Sequence, residues 1–182
     1  MTARSIAQES PVTAKSARRL HAHLAAAIAA MVLIAAPVTG AWAQTAQEVQ
    51  MNNVSAIRKS FEAWGNGTGS PYDLLADNAE WTIVGHSAAS RTYTSREDFL
   101  NNVIRPFGAR MATPLVPTIK NIYTDGDTVV IHFDAAGTAK DGKPYANTYA
   151  WFLKFQDGKI VKATAFFDSI AFNEFWARVP SP

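Results

Sequence analysis

Three Asp-Gly pairs in the second half of the chain constrain its fold more than any other feature. Asp125-Gly126, Asp141-Gly142 and Asp157-Gly158 each separate two runs rich in β-branched and aromatic residues. Asp-Gly is typical of tight hairpins because the central residues of such turns need positive φ angles, which both residue types tolerate. The spacing predicts four strands joined as an antiparallel meander, at about residues 118–123, 128–139, 143–155 and 159–167.

Helical patterns precede and follow this meander. Val54, Ile57, Phe61 and Trp64 lie three or four positions apart within residues 44–64, which predicts an amphipathic helix. Capping and proline signals predict three further helices, at residues 71–75, from Ser95 to Pro106 and at 169–178. Residues 79–84 have the pattern of a short strand.

These elements predict one α+β domain. Three N-terminal helices pack on one face of a strongly curved antiparallel sheet, and a short C-terminal helix closes the chain. The strands at 143–155 and 159–167 are apolar on both faces, with Trp151 on one side and Phe152 on the other. Because the helices cover only one face, we expect a homodimer that forms through the other.

Residues 1–43 have the pattern of a signal peptide. Four basic residues precede the uncharged residues 20–37, and Ala41-Trp42-Ala43 matches the small-x-small pattern of a cleavage site. We therefore expect cleavage after Ala43 and a mature domain of residues 44–182 that is periplasmic or secreted, with no membrane association after cleavage. An uncleaved N-terminal anchor is the alternative.

Charge and composition exclude several classes of function. Removal of residues 1–43 takes away four basic residues and one acidic residue, so the formal net charge falls from +2 to about −1. The basic character of the chain therefore belongs to its export segment, and no nucleic-acid partner is predicted. The chain has no cysteine, which excludes thiol catalysis and thiolate metal sites. No phosphate-loop, nucleophile-elbow or zinc-protease motif is present, and no cofactor is predicted.

Three phrases of the sequence carry a family resemblance over nearly the whole mature chain. They are FEAW at 61–64, AEWTIVGHSAASRTYTSREDFL at 79–100 and YANTYAWFLKFQDGKIVKATAFFDS at 145–169. With the order of elements, they resemble the SnoaL-like branch of the nuclear-transport-factor-2-like (NTF2-like) superfamily, which includes ketosteroid isomerases, limonene-epoxide hydrolases and polyketide cyclases. The resemblance implies a cone-shaped fold with a deep, mostly apolar pocket for a small apolar ligand. It does not identify the reaction, because this fold carries many enzymes and non-catalytic binders.

Asp168, within the stretch AFFDSIAF, is the first candidate catalytic residue. Alternation places it on the same side of the last strand as Phe166, and apolar surroundings would raise its pKa toward the range useful for acid–base catalysis. In hydrolase and cyclase relatives of the resembled family, the matching acid projects into the pocket. The alternative is a helix cap, because Asp168 immediately precedes the last helix, although Ser169 could also serve as that cap.

Asn147 and His132 are the other candidate catalytic residues. A two-residue turn at Asp157-Gly158 places Asn147 opposite Asp168 and Tyr149 near Phe166. His132 shares one strand face with Asp134, where it could act in acid–base chemistry or at an interface. A third ligand in register is lacking, so no metal site is predicted.

Aromatic residues are the candidate substrate-binding groups, although ordinary core packing is the alternative for each of them. They are Trp64, Tyr72, Trp81, Phe99, Tyr149, Trp151 and Phe166.

Two functional hypotheses follow from these residues. In the first, the protein is an exported, cofactor-independent lyase, isomerase or hydrolase that uses Asp168 as its proton shuttle. In the second, it is a non-catalytic periplasmic ligand-binding or interaction module. Only the first hypothesis requires an acid that has an abnormal pKa and reaches the ligand.

Overall fold

The computed structural model describes residues 39–180, which form four α-helices and a six-stranded sheet, with side chains from residue 45 onward. The helices are α1 (Thr39–Gly65), α2 (Arg96–Phe99), α3 (Arg105–Ala109) and α4 (Ser169–Arg178). The strands are β1 (Leu75–Ile83), β2 (Thr92–Tyr93), β3 (Val116–Asp125), β4 (Thr128–Thr138), β5 (Pro144–Gln156) and β6 (Lys159–Phe167). Most of the predicted signal segment, residues 1–38, lies outside the described residues.

The sheet has the order β2-β1-β6-β5-β4-β3 and is mixed, whereas the sequence predicted an antiparallel sheet. The meander β3 to β6 is antiparallel, as predicted, but β1 pairs with β6 in parallel. The predicted α+β class, with helices on a curved sheet, is confirmed. β2 was not predicted, because two residues are too few to show an alternating pattern.

The three Asp-Gly turns differ in how they use positive φ. In the turn between β5 and β6, both Asp157 (φ 50°) and Gly158 (φ 74°) have positive values, as a type I′ turn requires. In the other two turns only Gly126 and Gly142 have positive φ. All three predicted hairpins are confirmed, but only the last has aspartate in the left-handed region.

The helix after Ser95 continues past Pro106, where the sequence predicted its end. Ser95 caps it by accepting a hydrogen bond from the Asp98 amide, as predicted. A π-helical turn, Leu100–Ile104, then joins α2 to α3, and the Arg105 amide donates to the Leu100 carbonyl five residues earlier. Pro106 lacks an amide proton and its ring crowds the previous turn, so a locally wider turn lets the helix continue.

A β-bulge at Val161 changes the predicted register between β5 and β6. The pairs next to the Asp157 turn follow the prediction, but beyond Val161 the register moves by one residue. Tyr149 therefore pairs with Phe167 and not with Phe166. Because neighbouring side chains of a strand alternate between its faces, this shift places Phe167 on the same face as Tyr149 and Phe166 on the other face.

The core lies between the helices and one face of the sheet, here called the inner face. Helix α1 buries Ile57 and Phe61, and the Phe61 ring packs edge-on against Phe133 of β4 at 4.8 Å between centroids. Every second residue of β5 from Tyr145 to Phe155 is buried against these helices. In the described part of the chain, no helix combines the length and hydropathy of a membrane span.

Candidate functional site

A cavity of about 430 Å³ lies between the inner face of the sheet and helices α2 and α3. This volume is within the range of small-molecule sites. Its walls are mostly aromatic and aliphatic, and its lining residues are Trp64, Tyr72, Trp81, Ile83, Phe99, Val103, Ile104, Phe107, Gly108, Met111, Ala112, Thr113, Pro114, Leu115, Tyr149, Trp151, Ala165, Phe167 and Phe172.

The sheet supplies one wall of the cavity through its alternating pattern. Tyr149 and Trp151 of β5 lie two residues apart and face inward, and Ala165 and Phe167 of β6 do the same after the bulge. The small Ala165 opposite the large Trp151 leaves open space at this wall. The bulge at Val161 therefore helps decide which β6 side chains reach the cavity.

The helical wall depends on the π-helical turn. Phe99, Val103 and Phe107 are spaced four residues apart and all line the cavity, although Pro106 lies between the last two. Phe107, which the sequence did not assign to the site, was missed because the helix was expected to end at Pro106. The apolar spacing of four residues through Phe107 was the signal that could have found it.

A strap of residues 111–115 closes one end of the cavity. Its Thr113 amide donates to the Thr138 carbonyl, and the Thr138 amide donates back to the Thr113 hydroxyl. The strap packs so closely on β4 that a Cβ at Gly137 would lie 2.9 Å from the Met111 side chain and 2.9 Å from the Pro114 carbonyl oxygen. Glycine is therefore required at this position for the cavity wall to form.

Six of the seven predicted substrate-binding aromatics line the cavity, and their rings contact one another. Trp81 stacks on Phe99 at 4.4 Å between centroids, and Trp151 meets Trp81 edge-on at 5.1 Å. The seventh, Phe166, is 43% exposed on the outer face and contacts Phe152. Its placement in the pocket was wrong because the bulge reverses its direction.

Among the residues that line this apolar cavity, Tyr72, Tyr149 and Thr113 carry hydroxyl groups. No aspartate, glutamate, histidine, lysine or arginine is among its lining residues in the described part of the chain. Burial raises the pKa of Tyr72 and of Tyr149 well above the usual range, and the nearby Tyr145 phenol raises both further. Both lining phenols are therefore protonated at neutral pH and can donate hydrogen bonds.

Asn147 fixes the end of β6 and supports the tyrosines. Its Oδ1 accepts from the Asp168 amide at 2.9 Å and from the Thr148 amide at 2.8 Å. Its Nδ2 donates to the Asp168 carbonyl at 3.0 Å and to the Tyr145 hydroxyl at 3.1 Å. The Tyr145 hydroxyl in turn lies 3.1 Å from the Tyr149 hydroxyl. Asn147 and Asp168 are close, as predicted, but the contact uses the Asp168 backbone.

The Asp168 carboxylate does not line the cavity. Its Oδ1 accepts hydrogen bonds from the amides of Ile170 at 2.8 Å and Ala171 at 3.3 Å, so it is the N-cap of α4. Asp168 instead lines a second pocket of about 600 Å³ on the outer face, together with Thr148 and Asp134. The structure therefore places it in the helix-cap arrangement and contradicts the expected position in the apolar pocket.

His132 also lies on the outer face, away from the cavity. Its neighbours on β4, Ile131 and Phe133, are fully buried on the inner face, and its ring Nδ1 lies 3.5 Å from the Asn121 side-chain nitrogen. Lys120 and the Thr148 hydroxyl hold the pKa of the adjacent Asp134 below its usual range. No group of three acidic or histidine side chains converges as a metal site within residues 39–180.

The fold and the cavity together define an NTF2-like protein, a small cone of helices and curved sheet around an apolar site. Residues 57–163 match the SnoaL-like domain family, which is more than half of the chain. The chain therefore belongs to the SnoaL-like family, as the sequence resemblance indicated. A comparison with curated proteins finds no match to this chain.

Solved structures show the same fold at low sequence identity. Bal32a, from a soil-derived mobile gene cassette, is 20% identical and has a TM-score of 0.59, with 70% of this chain and 98% of Bal32a covered. An isomerase candidate from Rhodopseudomonas palustris is 16% identical (TM-score 0.54; 68% and 94% covered). A SnoaL-like polyketide cyclase candidate from Jannaschia sp. CCS1 is 15% identical (TM-score 0.55; 68% and 90% covered).

Proposed function

We propose that this protein binds a small, largely apolar, ring-containing molecule in the cavity. The observation that carries the proposal is an aromatic cavity of about 430 Å³ without a charged lining residue in the described part of the chain. Burial of apolar ligand surface against such walls is the main favourable contribution to binding. A charged ligand would lose its hydration there without gaining a counter-ion.

The binding function is favoured over catalysis through Asp168, His132 and Asn147. The first two side chains lie outside the cavity, and the Asn147 amide is fully used in holding the β6 end and Tyr145. General acid–base catalysis needs a titrating group within hydrogen-bond reach of the reacting atoms. Among the described residues that line the cavity, the ionisable groups are the protonated phenols of Tyr72 and Tyr149.

Fluorene, an uncharged tricyclic hydrocarbon, is a suitable probe for this proposal. We expect the protein to bind it, as measured by native mass spectrometry and equilibrium dialysis. Ala165→Phe should weaken binding roughly tenfold or more, because Ala165 faces the cavity and the added ring occupies it. Thr164→Phe adds similar bulk at the next residue on the outer face and should leave binding unchanged. Absence of fluorene binding, or equal binding by both variants, would contradict the proposal.

We also propose a homodimer through the outer face of the sheet. This face exposes four large side chains, Val116 (56%), Tyr123 (59%), Phe152 (44%) and Phe166 (43%), and the last two rings contact each other. Exposed aromatic pairs on a strand face are unusual in a monomer and are typical of protein interfaces.

Export is a further proposal, which rests on residues 1–43. We expect the periplasmic or secreted protein to have the intact mass of residues 44–182. Recovery of the full-length chain in the membrane fraction would instead support the N-terminal anchor.

A further inference from the structure

Helix α3 forms part of the cavity wall with little support from the core. Phe107 and Gly108 of this helix line the cavity, and none of its five residues is fully buried. It follows directly on the π-helical turn, and Pro106 removes one of its helical hydrogen bonds because proline has no amide proton. Segments with few buried contacts open locally at low free energy, so α3 is the weak part of this wall.

The chain after α3 is fixed to the end of β4 by backbone hydrogen bonds. The Lys140 amide donates to the Arg110 carbonyl at 2.9 Å, and the Ala112 amide donates to the Thr138 carbonyl at 2.8 Å. Among the described residues, α3 itself has no backbone hydrogen bond of this kind to the sheet or to α4. Side chains alone hold it against them, so α3 can open while the strap of residues 111–115 stays in place.

Arg110 fastens α3 to α4. The residue is 7% exposed, its Nη1 donates to the Pro106 carbonyl at 2.8 Å, and its guanidinium carbon lies 3.8 Å from the centre of the Trp176 ring. The first contact closes the single turn of α3, and the second joins that turn to α4. Because so long a side chain could extend into water, its buried position indicates that these contacts outweigh the lost hydration.

This latch, defined as the Arg110 side chain on the Trp176 ring, is incomplete. Arg110 forms no ion pair with the described residues, and its Nε is buried without a hydrogen-bond partner. A charge that is buried without a counter-ion regains hydration when it is exposed, and this offsets part of the contacts that opening breaks. The closed position is therefore favoured by a small margin.

We infer that α3 is a gate over the cavity, which the latch holds closed and which unwinds locally to let the ligand enter and leave. The latch then sets the rate of ligand exchange, whereas the aromatic walls set the affinity. This inference rests on the proposed binding function.

Stopped-flow binding of fluorene, followed through the emission of fluorene itself, tests the latch. Arg110→Ala should raise the association and dissociation rates together, each roughly threefold to thirtyfold, the range for one partly buried cation–π contact. The dissociation constant should stay within about twofold, because the latch closes the free and the bound protein alike. A change in affinity without a parallel change in both rates would overturn the gate and leave Arg110 a purely structural role.

Arg178→Ala is the matched control. Arg178 also approaches a ring of α4, Phe175 at 5.8 Å, but it hydrogen-bonds to the Pro144 carbonyl and not to α3. This variant should keep both wild-type rates, and an equal acceleration would overturn the inference, since loosening of α4 would then be sufficient. Hydrogen exchange locates the opening: the amides of residues 107–111 should exchange faster in Arg110→Ala, and those of the strands should not.

Gly108→Ala should have the opposite effect on the gate. An added Cβ meets no atom within 4 Å, and alanine favours the helix, so both rates should fall roughly twofold to fivefold. A methyl group that only narrowed the cavity would instead raise the dissociation rate. Unchanged rates in this variant and in Arg110→Ala would overturn the gate while the binding function stands. If the wild type binds no fluorene, the binding function fails, and the exchange of amides 107–111 still decides whether Arg110 holds α3 closed.

Discussion

Asp168 illustrates how a carboxylate among phenylalanines is satisfied without a buried charge. Phe167 before it faces the cavity, but the chain turns into α4 at Asp168, and the carboxylate accepts hydrogen bonds from two amides at the start of that helix. The helix dipole favours a negative group at this position. The apolar residues next to Asp168 in the sequence therefore belong to the strand before it and the helix after it, and they do not surround its carboxylate.

The cap predicts the effect of substitutions at Asp168. Asp168→Ala should lower the free energy of unfolding by about 1 kcal/mol, because it leaves the Ile170 and Ala171 amides without the side-chain acceptor. Asp168→Asn should stay close to the wild type, since asparagine caps helices as well as aspartate does. Urea denaturation measures both values.

Glu174→Ala is the matched control, because it removes an exposed acid from the same helix without touching a cap. It should change the stability little. A loss of ligand turnover in Asp168→Asn with unchanged stability would instead support the catalytic role that the structure disfavours.

At the scale of elements, the sequence predicted what local chemistry decides. The Asp-Gly turns, the Ser95 cap and the alternation along β5 are each set by a few neighbouring residues, and all of them are present in the structure. Trp81, Tyr149 and Trp151 line the cavity, and the last two lie on β5, where the alternation from Tyr145 to Phe155 is unbroken.

The elements that were missed depend on contacts distant in sequence or on irregular turns. Ile160 and Val161 are both apolar, so alternation cannot show which of them is the extra residue of the bulge. The parallel pairing of β1 with β6 depends on the path of the helices between residues 84 and 115, which no local pattern encodes. Phe166 was assigned to the wrong face because of this bulge. Phe107 was missed because the helix was expected to end at Pro106.

The β5–β6 turn carries the element-scale prediction. Asp157→Ala should destabilise the protein by about 1 kcal/mol, because alanine tolerates the left-handed conformation at φ 50° less well than aspartate does. Asp125→Ala, in the first Asp-Gly turn, is the control, since the φ of Asp125 is not positive and its change should have little effect. Equal losses for the two variants in thermal or urea unfolding would show that the backbone conformation is not the cause.

At the scale of the whole domain, the two faces of one sheet have different roles. The inner face carries the rings that line the cavity, whereas the outer face carries Phe152, Phe166 and the polar pair of His132 and Asp134. The one-residue bulge in β6 sets this division for the strand, because it decides that Phe167 faces inward and Phe166 outward.

The outer face gives the prediction at this scale. Phe152→Glu should shift the protein from dimer to monomer in sedimentation velocity or multi-angle light scattering, because it places a charge in the proposed interface. Val49→Glu makes a similar change at an exposed apolar residue of α1 and should leave the dimer intact. A wild-type protein that is monomeric at micromolar concentration would contradict the proposed homodimer.

The indole rings around the cavity have an optical consequence. Trp64, Trp81 and Trp151 are three of the four tryptophans that follow residue 43, and all three line the cavity. Trp151 lies 5.1 Å from Trp81 and 6.4 Å from Trp64 between ring centroids, so the three share excitation energy. A molecule that enters the cavity therefore perturbs most of the ultraviolet emission of residues 44–182, and the protein reports its own occupancy without a label.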